Sequence, residues 1–181
     1  MKFDNKIKDW IREDSYRMKA LYSAATLNLN DWCIAAGFVR NLVWDVLHRK
    51  KEPTPLNDID LIYFDPSDVS EAAEKIFVEK LNSISNLPWS IKNQARMHVR
   101  NMDAPYLSTT DAMSYWVEVE TAVGVTLTDT GDIEILAPFG VSSLFKKTVT
   151  FNSKRKNPED FYRRIEKKQW LSHWPNLKVS A

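Results

Sequence analysis

Two aspartates stand two positions apart in residues 57–61 (NDIDL). In a β-strand, side chains at positions i and i+2 point to the same face, so Asp58 and Asp60 are expected to project together. Two like charges side by side are unfavourable unless a cation lies between them. Because Mg²⁺ prefers oxygen ligands and commonly takes one or two carboxylates plus substrate phosphates, the spacing predicts a Mg²⁺ site, which Mn²⁺ could also fill.

An exposed turn after Pro55 is the alternative interpretation, in which Asn57 and Asp58 cap the turn. The following residues favour the metal site, because 58–64 (DIDLIYF) alternate in polarity and are rich in strand formers. Enzymes that displace pyrophosphate from nucleotides often use two metal ions to stabilise the attacking and leaving oxygens. We therefore predict that Asp58 and Asp60 are catalytic as well as metal-binding.

A glycine joins a predicted strand to a predicted helix within residues 35–41 (AAGFVRN). Such a junction at Gly37 and Phe38 presents backbone N–H groups and a helix N-terminus, which together bind anions. Arg40 could add a charge-assisted hydrogen bond to a phosphate, and Asn41 could orient a sugar hydroxyl or a catalytic aspartate. The alternative is that Gly37 only permits a tight turn and that Arg40 points to solvent.

The helices expected around these residues follow from the spacing of apolar side chains. This spacing predicts helices over about 4–27, 38–49 and 69–81. A last helix is expected to begin after the capping residue Asn157 and to close near Lys168, in agreement with the helix dipole at both ends.

Five strands are expected from runs of strand formers, at about 32–36, 58–64, 89–98, 115–119 and 123–127. A turn signal at 130–132 (TGD) predicts that 133–136 pairs back as a hairpin. Helices alternate with strands early and strands cluster later, which predicts an α+β fold, an α/β sandwich with a small mixed sheet covered by helices. The length of 181 residues favours a single domain over 1–181.

Charge is distributed unevenly along the chain. The segment from Phe145 to Ala181 contains ten Lys and Arg residues and three Asp and Glu residues. The whole chain has 25 basic and 24 acidic residues, so the rest of it has 15 basic and 21 acidic residues. The basic segment at about 157–175 could face a phosphate-rich ligand. Its candidate residues are Arg163, Arg164, Lys167 and Lys168. The alternative is a solvated basic helix.

Several classes of protein are excluded or disfavoured by composition. Cys33 is the single cysteine, which excludes an internal disulfide and a cysteine-based zinc site. No apolar run approaches the ~20 residues that span a bilayer, and the first residues are charged, unlike a secretory signal. We therefore expect a cytoplasmic protein with no membrane association. The sequence carries no signal for an oligomeric state.

Five motifs in one order resemble a known family: AAGFVRN (35–41), NDIDL (57–61), KNQARMH (92–98), ETAVGV (120–125) and APFGV (137–141). Together with the closing pattern between 157 and 175, they are similar to bacterial nucleotidyltransferase-like proteins of the DNA polymerase β-like superfamily. The resemblance runs across almost the whole chain. It implies the minimal nucleotidyltransferase fold and an enzyme that uses Mg²⁺ to move a nucleoside monophosphate from a nucleoside triphosphate to a hydroxyl acceptor.

The resemblance also implies roles for individual residues. It places Gly37 near the triphosphate and gives Asp58 and Asp60 the metal. The chain departs from the superfamily at Phe38, where a second glycine or a serine usually follows the first glycine. It departs again in the third carboxylate, which usually lies on a later strand. Glu120 is the better-placed candidate here, with Glu118 on the same predicted strand and Glu134 on the predicted hairpin as weaker alternatives.

The predicted strand around 89–96 bears on this third group. Asn93 would occupy its expected place and cannot act as a base. Lys92, Arg96 and His98 would share one face of the same strand, either to neutralise phosphates and accept a proton or to form a polar edge.

Two other functions fit parts of the sequence. A non-catalytic nucleotide-binding or regulatory protein of the same fold would explain the altered glycine turn and the unplaced third carboxylate. A nucleic-acid-binding protein would use the basic C-terminal region and would bind in a salt-dependent manner, although no RNA-binding signature is present.

Overall fold

The aspartate pair lies at the beginning of a strand in a five-stranded mixed β-sheet, in a computed structural model that describes residues 2–181. The strands of this sheet are β1 (Cys33–Ala35), β2 (Ile59–Tyr63), β3 (Trp89–Asn93), β4 (Gly124–Leu127) and β5 (Ile133–Leu136). Their spatial order is β3-β2-β1-β4-β5. A separate parallel pair consists of β6 (Thr148–Thr150) and β7 (Lys178–Ser180).

Nine α-helices and one 3₁₀-helix accompany these strands within residues 2–181. The α-helices are α1 (Lys2–Glu13), α2 (Ser15–Ala25), α3 (Gly37–Leu47), α4 (Glu71–Ile84), α5 (Gln94–Asn101), α6 (Thr109–Met113), α7 (Ser142–Lys146), α8 (Pro158–Lys167) and α9 (Trp170–His173). The 3₁₀-helix is Val119–Thr121. The predicted α+β fold with a small mixed sheet is confirmed. None of these helices is long and apolar enough to cross a membrane.

The central strand β1 is buried along its whole length. It pairs antiparallel with β2 and β4, whereas β2 and β3 are parallel. Ile34 and Leu61 belong to the main hydrophobic cluster, together with side chains of α1, α2 and α3. Ile62 belongs to a smaller cluster with Cys33. Because Asp60 and Ile62 are two residues apart, Asp60 lies on the face of the smaller cluster and outside the main core.

The helix predicted over 4–27 is two helices that meet at Asp14. The Asp14 side chain accepts a hydrogen bond from the Arg17 backbone N at 3.0 Å and caps α2. Arg17 is buried, and its Nε donates to the Phe38 carbonyl oxygen at 2.7 Å. A polar residue within the apolar stripe therefore divides the helix and anchors α2 to the start of α3.

The strand predicted over 89–98 ends early, because a helix replaces its second half. Asn93 terminates β3 and caps α5, since its Oδ1 accepts a hydrogen bond from the Ala95 backbone N at 3.0 Å. The prediction is correct for the first five residues and wrong for the rest.

No strand forms at 115–119, so the prediction of a strand there is wrong. This segment makes a single bridge from Glu118 to Phe151 before the 3₁₀-helix. Glu118 is fully buried, and its carboxylate accepts a hydrogen bond from Arg164 Nε at 2.5 Å. The predicted β4–β5 hairpin and the last helix capped by Asn157 are both confirmed.

Candidate active site

The sheet holds the aspartate pair at the border of the core. Asp58 precedes β2 and is exposed, whereas Asp60 is the second residue of β2 and is partly buried. The neighbouring Ile59 and Leu61 are fully buried in the main cluster, which fixes the strand. Burial raises the pKa of Asp60, and the neighbouring charge of Asp58 raises it further. A bound cation would offset this repulsion.

Two carboxylates form the candidate metal donor set. Within residues 2–181, no group of three or more His, Cys, Asp or Glu side chains has an arrangement suited to a metal ion. A structural zinc site needs four ligands, so this donor set does not fit zinc. It does fit Mg²⁺, because this ion is usually bound through one or two carboxylates and completes its shell with waters and substrate phosphates.

The strand–glycine–helix junction presents a helix N-terminus without a side-chain cap. Ala36 precedes α3 with a left-handed φ of 58° and makes no side-chain cap. The first amide N–H groups of α3, at Gly37 and Phe38, have no acceptor within the helix, and they carry the positive end of its dipole. The Phe38 side chain is buried against Arg17 in the core, so only its backbone can contribute to the site.

Arg40 is buried beside this junction and does not point to solvent. Its Nη1 donates to Thr121 Oγ1 at 2.7 Å, and its Nη2 donates to Asn41 Oδ1 at 3.1 Å. The guanidinium lies over the Trp170 ring, 4.4 Å from the centroid, in cation–π contact. Burial lowers the pKa of Arg40 to about 10, so the group remains charged at neutral pH.

The Glu120 carboxylate is engaged by threonines of β6. It is buried, and its carboxylate accepts hydrogen bonds from Thr148 Oγ1 at 2.8 Å, Thr150 Oγ1 at 2.8 Å and the Thr150 backbone N at 2.7 Å. Both carboxylate oxygens are therefore used in holding the 3₁₀-helix against β6. The structure does not bring Glu120 together with Asp58 and Asp60 in a group of three carboxylates.

On β3, the strand beside Asp60, the side chains that share its face carry a hydroxyl and an amine group and no carboxylate. Asp60 pairs with Ser90 in the parallel register of β2 and β3, so these two side chains share a face. Lys92 follows on the same face. Asn93 points the other way and is fully buried, and its Nδ2 donates to the Asp65 carbonyl oxygen at 2.7 Å. Ser90, and not Asn93, is therefore the neighbour of Asp60 on this strand.

The basic face predicted for Lys92, Arg96 and His98 does not form, because the latter two residues lie on α5. Arg96 donates to Glu74 from Nε at 2.8 Å and from Nη2 at 2.9 Å. Lys92 Nζ donates to the same carboxylate at 2.9 Å. These contacts join α4, β3 and α5 around one buried glutamate.

Two cavities meet at the aspartate pair. The first, called the α3 cavity, has a volume of about 310 Å³ and adjoins the start of α3. The second, called the α5 cavity, has a volume of about 340 Å³ and adjoins α5. The residues that line both are Ala36, Asp60, Thr121 and Arg164. Asp60 therefore faces both cavities, whereas Asp58 lines the α3 cavity.

The α3 cavity combines the predicted site residues with cationic and aromatic side chains. Gly37, Asn41 and both aspartates line it. Its cationic and aromatic lining residues are Arg40, Arg164, Lys168, Trp170, His173 and Trp174.

The predicted basic segment divides between the cavity and solvent. Arg164 and Lys168, one helical turn apart, line the α3 cavity. Arg163 is exposed and forms an ion pair with Asp160 on its own helix. Only part of the segment can therefore reach a ligand in this cavity.

Sequence reasoning missed several residues that line the cavities: Arg100, Trp116, Thr121 and Arg155. Arg100 lies on α5 beyond the end of the predicted strand, Trp116 and Arg155 lie in irregular segments without a motif, and Thr121 ends the 3₁₀-helix. The one available signal was Thr121, which follows Glu120 in a motif of the resemblance.

The sequence matches a family model for nucleotidyltransferases over residues 22–179. The chain is also similar to a protein whose NMR structure is described as revealing a CCA-adding enzyme head domain, with 32% sequence identity and a TM-score of 0.83. That match covers 97% of this chain and 94% of the other. A comparison with curated proteins finds no match.

More distant solved structures share the fold alone. A CCA-adding enzyme in complex with CTP has 12% identity and a TM-score of 0.62, and the match covers 97% of this chain and 43% of that one. A tRNA-processing enzyme complex has 17% identity and a TM-score of 0.56, with 88% and 42% covered. The chain thus spans less than half the length of these two proteins.

Proposed function

Because this chain belongs to the nucleotidyltransferase family, we propose that it moves a nucleoside monophosphate from a nucleoside triphosphate to a hydroxyl group of a second substrate, with Mg²⁺ as its cofactor. Asp60 carries this proposal, since it is the carboxylate that lines both the α3 cavity and the α5 cavity. A group transfer needs two substrates to meet at one point, and the two cavities converge at this residue.

The α3 cavity suits the triphosphate. The N-terminus of α3 offers amide N–H groups and the positive end of the helix dipole. Arg40 and Arg164 add guanidinium groups, and Lys168 adds an exposed ammonium group. Phosphate oxygens accept charge-assisted hydrogen bonds from such donors. The aromatic side chains of the same cavity offer contact area for the nucleoside.

Asp58 and Asp60 would hold Mg²⁺ together with oxygens of the triphosphate. A metal ion at this position neutralises phosphate charge and stabilises the leaving oxygen. Two protein ligands are enough, because the substrate supplies further ligands. Glu120 has both oxygens engaged by Thr148 and Thr150, so we assign it to positioning and leave it outside the metal site.

The reaction exchanges one phosphorus–oxygen bond for another. The acceptor hydroxyl oxygen forms a bond to the α-phosphorus, and the bond from that phosphorus to the bridging oxygen of the β-phosphate breaks. The electron pair of the broken bond leaves with pyrophosphate. Asp60, which faces both cavities, would accept the hydroxyl proton. Arg40 and Lys168 stabilise the negative charge on the phosphates throughout.

Pyrophosphate release tests this proposal directly. The full chain is incubated with each of the four common ribonucleoside triphosphates, MgCl₂ and a panel of hydroxyl compounds and RNAs. Asp58→Asn and Asp60→Asn keep the side-chain shape and remove the charge. Each should lower release by about 100-fold or more, because the lost stabilisation amounts to several kcal/mol.

Asp129→Asn is the matched control, since Asp129 is an exposed turn residue that lines neither cavity. It should release pyrophosphate at the rate of the unaltered chain. Equal rates for Asp60→Asn and the unaltered chain would contradict the proposal. So would tight triphosphate binding with no release for any acceptor in the panel.

A further inference from the structure

We propose that the α5 cavity binds the acceptor, and that this acceptor is a small hydroxyl compound carrying one phosphate group. The proposal rests on the proposed function, because it takes the α3 cavity as the site of the triphosphate. Because Asp60 lines both cavities, a hydroxyl compound in the α5 cavity can present its oxygen close to the residue that a triphosphate in the α3 cavity also reaches.

The lining of the α5 cavity is cationic, with a single acidic member. Asp60 is the only carboxylate among the lining residues. The cationic lining residues are Lys92, Arg100, Arg155 and Arg164. A cavity lined in this way favours an anionic ligand over a neutral one.

Three of these four cations are already paired with carboxylates that lie behind the cavity wall. Arg164 binds Glu118, with Nε–Oε1 at 2.5 Å and Nη2–Oε2 at 3.3 Å. The Nη1 of Arg155 binds Asp103 Oδ1 at 3.0 Å. The third pair joins Lys92 to Glu74. These pairs hold the side chains in place and balance most of the charge.

Both paired arginines line the cavity and keep N–H donors that their hydrogen bonds within the protein do not use. A guanidinium has five N–H donors. Within residues 2–181, Arg164 Nη1 and Arg155 Nη2 have no hydrogen-bond partner in the protein. Fixed, charge-balanced donors of this kind suit the hydroxyl and ring oxygens of a sugar or polyol.

Arg100 supplies the unbalanced charge. It is exposed at the rim, and among the described residues it forms no ion pair. One unbalanced positive charge can be neutralised by one anionic group on the ligand. Nucleic acids, in contrast, are bound through several phosphates that each displace counterions. The volume of about 340 Å³ falls in the range of small-molecule sites. The charge balance and the volume together favour a small monophosphate over a polynucleotide.

Apolar side chains also line the α5 cavity. They are the side chains of Ile62, Met97, Trp116 and Val117. Sugar rings present an apolar face as well as hydroxyl groups, so a cavity lined by both hydrogen-bond donors and apolar side chains fits this class of compound.

Binding to the full chain, with a nonhydrolysable nucleoside triphosphate present, tests the proposal. Ribose 5-phosphate is the probe, ribose is its uncharged counterpart, and a single-stranded oligoribonucleotide is the third ligand. Affinities are measured by calorimetry. Ribose 5-phosphate should bind at least tenfold more tightly than ribose, and Arg100→Gln should remove about tenfold of its affinity, because a charge-assisted hydrogen bond is lost.

Arg163→Gln is the matched control, because Arg163 is an exposed arginine that lines neither cavity. It should bind ribose 5-phosphate like the unaltered chain. Neither variant should change the triphosphate affinity by more than about twofold.

Three outcomes would overturn the proposal: equal affinities for ribose and ribose 5-phosphate, equal losses in Arg100→Gln and Arg163→Gln, or an Arg100-dependent affinity confined to the oligoribonucleotide. Triphosphate binding is measured separately in the same titrations. Its absence would count against the proposed function, whereas its presence without binding of ribose 5-phosphate would count against the acceptor assignment alone.

Discussion

At the level of single residues, the contacts of Arg40 explain why this position needs a guanidinium. The planar group lies over Trp170, donates to Thr121 and Asn41 and still borders the α3 cavity. A lysine ammonium group could not stack in the same way or reach both acceptors at once.

We expect Arg40→Lys to weaken triphosphate binding by about tenfold, because stacking and paired hydrogen bonds hold the charge in place. Calorimetry with a nonhydrolysable triphosphate measures this change. Arg163→Lys is the control and should bind normally. Unchanged affinity in Arg40→Lys would show that positive charge alone, and not the geometry of Arg40, attracts the triphosphate.

Glu120→Gln separates a positioning role from a metal-binding role. The substitution keeps the shape of the side chain and weakens three hydrogen bonds with Thr148 and Thr150. We expect the free energy of unfolding to fall by about 1–3 kcal/mol, with Mg²⁺ dependence of activity unchanged. Urea unfolding and a Mg²⁺ titration of pyrophosphate release provide the two measurements. Full stability combined with an increased Mg²⁺ requirement would instead identify Glu120 as a metal ligand.

The residues of the site differ in how far the sequence predicts them. Asp58 and Asp60 are close in sequence, and the alternation of a strand is enough to place them together. The position of the buried Arg40 side chain depends on its contacts with Trp170 and Thr121. These two residues are distant in the chain, and no spacing in the sequence links them to Arg40. Glu120 looks like a candidate ligand in the sequence, since nothing local reveals that Thr148 and Thr150 engage its oxygens.

At the level of elements, Glu74 joins one helix, one strand and a second helix. Its carboxylate accepts from Arg96 and Lys92 and from the backbone N of Asn93. Burial raises the pKa of Glu74, but the hydrogen bond from Arg96 and the other donors outweigh burial, so the pKa lies below its ordinary value of 4.5. The ionised form is therefore the one that stabilises the junction of α4, β3 and α5.

This direction sets the pH dependence of stability. A carboxyl group with a lowered pKa in the folded state contributes stability above its unfolded pKa, and that contribution is lost as the pH falls through the folded value. We expect Glu74→Gln to lower the free energy of unfolding by about 1–3 kcal/mol at pH 7, and the difference from the unaltered chain to shrink below about pH 4.5. Urea unfolding at about four pH values between pH 3 and pH 7 measures this stability difference.

Glu79→Gln is the control for this series, because Glu79 lies exposed on the same helix. It should change stability by less than about 0.5 kcal/mol at every pH. A Glu74→Gln difference that stays constant down to pH 3 (about 1.5 units below the ordinary value) would contradict the ionised role of Glu74.

Elements were predictable where one local signal dominated. The hairpin of β4 and β5 and the cap at Asn157 follow from turn and capping residues within a few positions. The first half of α5 was predicted as strand, because its capping residue Asn93 is buried and looks in the sequence like one more residue of the preceding strand. Asp14 likewise divides a helix through a side-chain contact with the backbone of Arg17, which apolar spacing does not register.

At the level of the whole molecule, Asp45 joins three distant parts of the chain. Its carboxylate accepts from Trp174 Nε1 at 2.8 Å and from Thr54 through the backbone N at 2.7 Å and Oγ1 at 2.6 Å. Thr54 precedes the aspartate pair, and Trp174 follows α9. Both line the α3 cavity, so one buried carboxylate on α3 fixes two of its walls.

We expect Asp45→Ala to lower the free energy of unfolding by about 2–4 kcal/mol, because buried donors lose their acceptor. Triphosphate affinity should fall as well, since both walls of the cavity become less constrained. Urea unfolding and calorimetry measure the two effects. Asp129→Ala is the exposed control and should show neither. Loss of stability with unchanged triphosphate affinity would contradict the link between Asp45 and the cavity.

The wall shared by the two cavities has a consequence for the kinetic order of the reaction. Each cavity opens to solvent and reaches Asp60 by its own route, so neither substrate must depart before the other arrives. Under the proposed function both can then occupy the protein together, and we expect the nucleotidyl group to pass directly between them without a protein-bound intermediate. One such displacement inverts the configuration at phosphorus, and double-reciprocal plots for one substrate at several levels of the other intersect instead of running parallel.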